Sequence, residues 1–258
     1  MINILLSRIQ QKKRTMKYPG GTLPAVFDRF KGMPVIKGGC LDDCTICRDL
    51  CPVDAIKIYY NGLALDLGKC IFCGKCEEAC PVNVIEFTRN HQLADSDYSY
   101  LVITRDSLSR KRFLVKTAQK YFKRSFKIRQ VSAGGCNACE ADCNVLSTPA
   151  WDMGRLGIQF VASPRHADGL LITGPVTANM HKALLKTYNA LPEPRIVIAA
   201  GSCAISGGLY AEHEETRAGA DSVVPVDLYI PGCPPHPLTI LDGLLRLLGR
   251  KVKDFQNV

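Results

Sequence analysis

Thirteen of the 258 residues are cysteines, and twelve of them fall into patterns suited to thiolate ligation of a metal. Cys136-Asn137-Ala138-Cys139, just after Gly134-Gly135, places two thiolates where a single turn can aim both at one centre. Two more stand far downstream, Cys203 in Gly201-Ser202-Cys203 and Cys233 in Pro231-Gly232-Cys233-Pro234-Pro235. Soft thiolates select zinc or iron–sulfur centres. The 63 and 29 residues that separate these ligands are too many for a zinc ribbon, whose ligands come as two tight pairs. They suit a cluster seated on a whole domain, each ligand delivered by its own loop.

The other eight, Cys40, Cys44, Cys47, Cys51, Cys70, Cys73, Cys76 and Cys80, form an internal repeat. Cys44, Cys47 and Cys51 return 29 residues later as Cys73, Cys76 and Cys80, and Cys51-Pro52-Val53-Asp54 returns as Cys80-Pro81-Val82-Asn83. The second copy, from Cys70 to Pro81, keeps the bacterial ferredoxin spacing without deviation; the first carries one extra residue between Cys40 and Cys44. In two-cluster ferredoxins the fourth cysteine of each run ligates the other cluster. One 4Fe-4S cluster is therefore expected on Cys40, Cys44, Cys47 and Cys80, and a second on Cys70, Cys73, Cys76 and Cys51. Zinc is the alternative, and the Cys-Pro endings and the symmetry of the eight cysteines argue against it.

These ligands need a scaffold. From residue 126 onward, short apolar runs (Phe126–Val131, Ile158–Ala162, Gly169–Thr173, Arg195–Ala200, Val223–Ile230) alternate with helical segments near 142–153, 177–190 and 236–249, with Asp142 and Thr177 as helix-start residues. Such alternation predicts a parallel sheet covered on both faces. Ligands gather beyond the carboxyl ends of strands in these sheets, and Cys136, Cys203 and Cys233 each follow a predicted strand. The fold expected is α/β: a flavodoxin-like domain at 126–258 carrying a third cluster on Cys136, Cys139, Cys203 and Cys233. A small α+β bacterial-type ferredoxin domain at 40–92 precedes it. Residues 1–39 read as a basic, turn-rich arm and 93–125 as a basic linker. Within the linker, Tyr98–Thr104 is a candidate strand, and Leu114, Ala118, Tyr121 and Phe122 recur at helical spacing.

The formal charge is +9. Three oxidised four-iron clusters on twelve thiolates would each carry roughly −2, which leaves roughly +3. Residues 1–39 hold eight Lys/Arg against one acid, and 105–130 hold ten against Asp106. Such stretches suit an anionic lipid surface, an acidic partner or plain solvation; nucleic acid is not expected, because the cysteines supply a different function. No apolar run approaches the ~20 residues of a membrane span. Thirteen cysteines without a secretory leader predict a reducing, cytoplasmic setting.

Several runs make the family recognisable. Gly134-Gly135-Cys136-Asn137-Ala138-Cys139-Glu140, Ser163-Pro164-Arg165-His166-Ala167-Asp168, Thr173-Gly174-Pro175-Val176-Thr177, Gly201-Ser202-Cys203 and Pro231-Gly232-Cys233-Pro234-Pro235 resemble the small subunit shared by membrane-bound nickel–iron hydrogenases and respiratory complex I. Residues 28–90, with Arg29-Phe30-Lys31-Gly32-Met33-Pro34 ahead of the first cysteine, resemble its two-cluster ferredoxin-type companion. These are separate proteins in the familiar families, so the chain resembles a fusion. Complex I subunits carry adjacent cysteines at the first ligand pair; Cys136 and Cys139 follow the Cys-x-x-Cys form of the hydrogenase branch.

The resemblance implies electron relay in a multisubunit, membrane-associated hydrogenase, peripheral on the cytoplasmic face. Electrons would pass between a soluble donor or acceptor, the two ferredoxin-type clusters, a proximal cluster on Cys136, Cys139, Cys203 and Cys233, and the nickel–iron site of a separate large subunit. The chain itself would be non-catalytic. Expected partners are that large subunit, other members of the complex, and a soluble ferredoxin or a formate- or CO-oxidising module. The alternatives are a complex I-like quinone oxidoreductase subunit and a standalone iron–sulfur carrier. Glu140 is a candidate proton relay beside the cluster loop, or simply a helix-start carboxylate. Cys143 is expected to pack as a small apolar group, His166 to orient its loop, His236 to be structural and Trp151 to lie in the core.

Overall fold

In the computed structural model, which describes residues 2–21, 26–59, 62–105, 107 and 116–255, the cysteine repeat becomes a structural repeat. Helix α1 (Ile2–Gln11), with Arg8 as its single charged residue, leads the chain and leaves Ile4, Leu5, Leu6 and Ile9 exposed. The first unit is β1 (Pro34–Ile36), α2 (Ile46–Asp49) and β2 (Ile56–Tyr59); the second is β3 (Gly62–Asp66), α3 (Lys75–Glu78) and β4 (Ile85–Phe87). The two helices carry Cys47 and Cys76 at matching positions. β1 pairs antiparallel with β4, and β2 with β3, so the units interlock rather than stack. Interlocking is what brings the last cysteine of each run to the other run. Pro34–Ile36, inside the stretch read as an arm, thus belongs to a sheet.

Only part of Tyr98–Thr104 is a strand. Asp97 accepts a hydrogen bond from Ser99 N at 2.9 Å and caps a 3-10 turn over Tyr98–Leu101, which leaves β5 (Val102–Ile103) to pair antiparallel with β3. Helix α4 (Lys116–Tyr121) buries Ala118 and is followed by buried Phe122, but Tyr121 faces solvent. Leu114, the remaining member of that spacing, and Pro24 of the arm lie outside the described residues.

Five parallel strands follow: β6 (Phe126–Ser132), β7 (Ile158–Phe160), β8 (Gly169–Thr173), β9 (Ile196–Ala200) and β10 (Leu228–Ile230). Their order, β10-β9-β8-β6-β7, is the flavodoxin-like order with its switch point between β6 and β8. β8 and β9 are buried along their whole length, as continuous apolar runs covered on both faces should be. The last strand is shorter than its apolar run. Pro225 has no N–H for a ladder, and pairing starts only after Asp227, whose carboxylate accepts from Val197 N at 2.8 Å.

Helix α5 spans Ala138–Val145, not 142–153, and Asp142 lies inside it; the helix opens after Asn137, which has a left-handed backbone. Pro149 disfavours helical backbone just before it, Thr148 Oγ1 donates to Val145 O at 2.7 Å, and a 3-10 turn at Met153–Leu156 completes the segment. α6 (Ala178–Ala190) follows Thr177, α7 (Ser202–Ser206) is a short helix that the sequence reading missed, and α8 (Pro237–Leu247) is largely buried. His236 caps α8 by accepting from Leu238 N at 3.1 Å, and half-buried Trp151 packs edge-on to it.

The two regions share one hydrophobic cluster, which runs from Leu65, Leu67 and Leu101 to Ala204, Ile205 and Tyr229. His91, Gln92, Leu93, Ala94 and Asp95 are buried at the junction. Asp95 and Tyr229 exchange both backbone hydrogen bonds, at 3.1 and 2.8 Å. Tyr98 stacks edge-on to Tyr229 with ring centroids 5.6 Å apart. A second tie comes from the N-terminal segment. Tyr18 donates to Asp242 at 2.8 Å, and Gln92 and Arg246 also donate to that carboxylate. A buried charge needs such partners. Among the described residues, no helix is long and apolar enough to cross a membrane.

Candidate metal centres

Cys40, Cys44, Cys47 and Cys80 line one hollow, with Leu63 and Ile85 as part of its wall. Cys51, Cys70, Cys73 and Cys76 line another, walled by Leu65 and Phe87. The hollows have nearly the same size, about 320 and 330 Å³ including space open to solvent. The interlocked units place Cys80 with the cysteines of the first run and Cys51 with those of the second. Among the described residues, no three His, Cys, Asp or Glu side chains close tightly enough to hold a single metal ion. The thiols instead ring a space, an arrangement suited to a multi-atom cluster.

Backbone amides point at the sulfurs. Ala55 N donates to Cys51 Sγ and Val84 N to Cys80 Sγ, both at 3.3 Å and at matching positions of the repeat; Phe72 N donates to Cys70 Sγ at 3.3 Å. Such bonds stabilise charge on sulfur and tune a cluster's potential. Burial works the other way. It raises the Cys70 thiol to about 12, with repulsion from Cys76, Cys51 and Cys73 adding to the rise. Cys76 rises to about 11 from burial and repulsion by Cys73 and Cys51. Cys40 and Cys47 are raised by burial and by their neighbours' thiols. Crowded, buried thiols are poor thiolates on their own, and positive iron would reverse that balance. The donor set, the crossed geometry and the N–H···S bonds all fit 4Fe-4S clusters.

The third set is built from loops beyond the carboxyl ends of β6, β9 and β10. Cys136 and Cys139 straddle the start of α5, Cys203 is in α7 and Cys233 follows β10. Cys139 is raised by burial, then by the charge of Glu140, and also by Cys203 and Cys233. Burial pushes Cys203 up to about 11, with Cys233 and Cys136 contributing, and Cys233 is raised by burial and by Cys136. The four thiols therefore lie near enough to feel one another's charge. Cys136 and Cys233 are exposed and Cys139 and Cys203 half-buried, so the set opens outward. Two glycines permit this closeness. Gly201 has a φ of 93°, and a Cβ there would lie 2.7 Å from Cys139 Sγ; a Cβ on Gly174 (φ 83°) would lie 2.5 Å from Gly135 N.

Glu140 lies behind the set rather than on its surface, 8% exposed, and accepts from Thr173 Oγ1 at 2.6 Å. Burial raises its pKa, but hydrogen bonds from Ser132 and Thr173 outweigh that and hold it below the usual carboxylate range. Cys143 is fully buried in the sheet core, one turn beyond Cys139, and burial raises its thiol to about 12. His166 is exposed in a 3-10 turn over Pro164–His166. The sequence reading missed Ser202 and Ser206, whose hydroxyls reach across to the ferredoxin-type region. Position beside Cys203 was the only signal available for Ser202.

Comparison with known proteins follows the same division. The model of the "NADH ubiquinone oxidoreductase, 20 Kd subunit" family matches residues 136–247, and that of the "4Fe-4S binding domain" matches residues 63–86. A probable membrane-bound hydrogenase subunit of Pyrococcus furiosus is 41% identical over 146 residues, 56% of this chain and 87% of that one. Subunit 7 of formate hydrogenlyase from Escherichia coli is 45% identical over 50% of this chain, and the match covers only about half of its own length, 51%. A component of the NADH-quinone oxidoreductase of Desulfovibrio desulfuricans is 44% identical over 44% of this chain and 61% of its own.

Proposed function

The chain belongs to the NADH ubiquinone oxidoreductase 20 Kd subunit family, and from that premise we propose that it is the electron-relay subunit of a membrane-associated nickel–iron hydrogenase complex. In this reading it holds three 4Fe-4S clusters: on Cys40, Cys44, Cys47 and Cys80; on Cys51, Cys70, Cys73 and Cys76; and on Cys136, Cys139, Cys203 and Cys233. Bound there, such clusters accept and release single electrons, and the redox chemistry is theirs. The chain's own work is placement and tuning. Its amides donate to cluster-bound sulfur, its hydrophobic side chains wall the first two sets, and its outward-opening third set faces a partner. The observation that carries the reading is the presence of all three thiol sets in one packed chain, the last in the Cys-x-x-Cys form.

The proposed partner is a large subunit that brings the nickel–iron site, with the complex meeting the membrane through its other members. Anaerobic purification through a tag on this chain tests it. The expected result is about twelve iron atoms per chain, a co-purifying subunit with two nickel-binding Cys-x-x-Cys pairs, and hydrogen-dependent reduction of an artificial acceptor. A partner lacking those pairs, with quinone-dependent activity, would favour the complex I-like reading. A chain that purifies alone would favour a free carrier.

A further inference from the structure

Ser202 joins thiol-bearing loops of the two regions. Its hydroxyl donates to the carbonyl oxygen of Cys70 at 2.5 Å and lies 3.2 Å from the carbonyl oxygen of Gly232. Its own amide donates to that same Gly232 oxygen at 2.9 Å. Cys70 belongs to the second ferredoxin-type set, Gly232 immediately precedes Cys233, and Ser202 immediately precedes Cys203. One side chain thus ties together three ligand-bearing loops. Ser202 is 1% exposed, so water does not compete for the hydroxyl. One turn later, Ser206 Oγ donates to Gly68 O at 3.0 Å, holding the same loop at a second point.

Electronic coupling decays less steeply through covalent and hydrogen bonds than across van der Waals gaps. The route Cys70 carbonyl, Ser202 hydroxyl, Ser202–Cys203 peptide consists of bonds and one short hydrogen bond. We propose that Ser202 is the positioning residue of the junction, and that one-electron exchange between the Cys51/Cys70/Cys73/Cys76 set and the Cys136/Cys139/Cys203/Cys233 set crosses this contact. The proposal rests on the three-set relay reading. Each event oxidises one set by one electron and reduces the other by one, and the hydroxyl keeps its proton.

The test uses the cluster-loaded complex with Ser202→Ala, and with Ser206→Ala as a control that loosens the same loop. A photoreduced viologen injects electrons, and freeze-quench electron paramagnetic resonance follows their arrival at the third set. Iron content and midpoint potentials are measured alongside. Ser202→Ala should keep all three signals and their potentials, slow arrival several-fold, and weaken the magnetic interaction between the second and third sets. Ser206→Ala should leave the rate within twofold. An unchanged rate in Ser202→Ala, or an equal loss in Ser206→Ala, overturns the proposal while leaving the relay reading intact. Should Ser202→Ala lose iron, Ser202→Thr compared with Ser202→Val decides, since the pair differs mainly in the hydroxyl; equal rates overturn the proposal. Native protein with no third signal overturns the relay reading itself, and this inference with it.

Discussion

The ferredoxin-type region is made of strands of two to five residues and helices of four, and Cys47, Cys70 and Cys76 are themselves part of its hydrophobic core. The sheet region is the reverse. β8 and β9 are buried throughout, α8 seals one face with leucines, and the four candidate ligands sit at the rim. Where thiols are the core, apolar burial alone is marginal for so short a stretch, and metal binding becomes part of folding. Where thiols lie at the rim, the sheet can form first and the ligand loops follow. The two regions suit the same kind of cofactor, but only one should need it to fold.

The sharpest way to break this comparison is to strip the iron. Chelation under reducing conditions should erase hydrogen-exchange protection across residues 40–90 while 126–132, 169–173 and 196–200 keep theirs; equal loss in both regions would remove the distinction. Next in size is Cys51→Ala. It should destroy the signal of the set containing Cys70, Cys73 and Cys76, because fourth ligands cross over, and should expose that region to proteolysis. Loss confined to the Cys40, Cys44 and Cys47 set would contradict the crossing.

Cys203→Ala should abolish electron passage to the partner yet leave the other two clusters visible and the thermal unfolding of the sheet nearly unchanged. Smallest is Cys143→Ala. It removes one small buried group and should cost about 1–2 kcal/mol in denaturant unfolding with all iron retained. Loss of the third cluster there would make Cys143 a ligand and undo the assignment at the rim.

Much of this was legible because metal ligation constrains spacing more tightly than propensity does. The 29-residue cysteine offset carries over to α2 and α3, and to the starts of β2 and β4. The parallel sheet was legible from apolar runs with glycine-bearing loops behind them. What sequence could not supply was decided by tertiary contact. Asp142 has the chemistry of a helix cap, yet α5 starts earlier because Asn137 turns left-handed between two cysteines of the third set. Val223 and Val224 have strand propensity, but Pro225 keeps them out of the ladder and they close the hydrophobic cluster instead. The staples from Ser202 and Ser206 depend on a loop more than a hundred residues upstream, and no local pattern announces such a pair.

The seam formed by residues 91–95, Tyr98 and Tyr229 has a consequence in mass action. Between two separate proteins, such a contact would have a dissociation constant and would empty on dilution. Within one chain, the neighbour's effective concentration is set by the tether, in the millimolar range for short flexible links and beyond dilution altogether. Both halves are also made in equal number by a single translation event, so neither accumulates as an orphan with an exposed apolar face. An interface of one isolated β-bridge, two stacked tyrosines, two serine hydrogen bonds and a shared apolar cluster can then be permanent without being large.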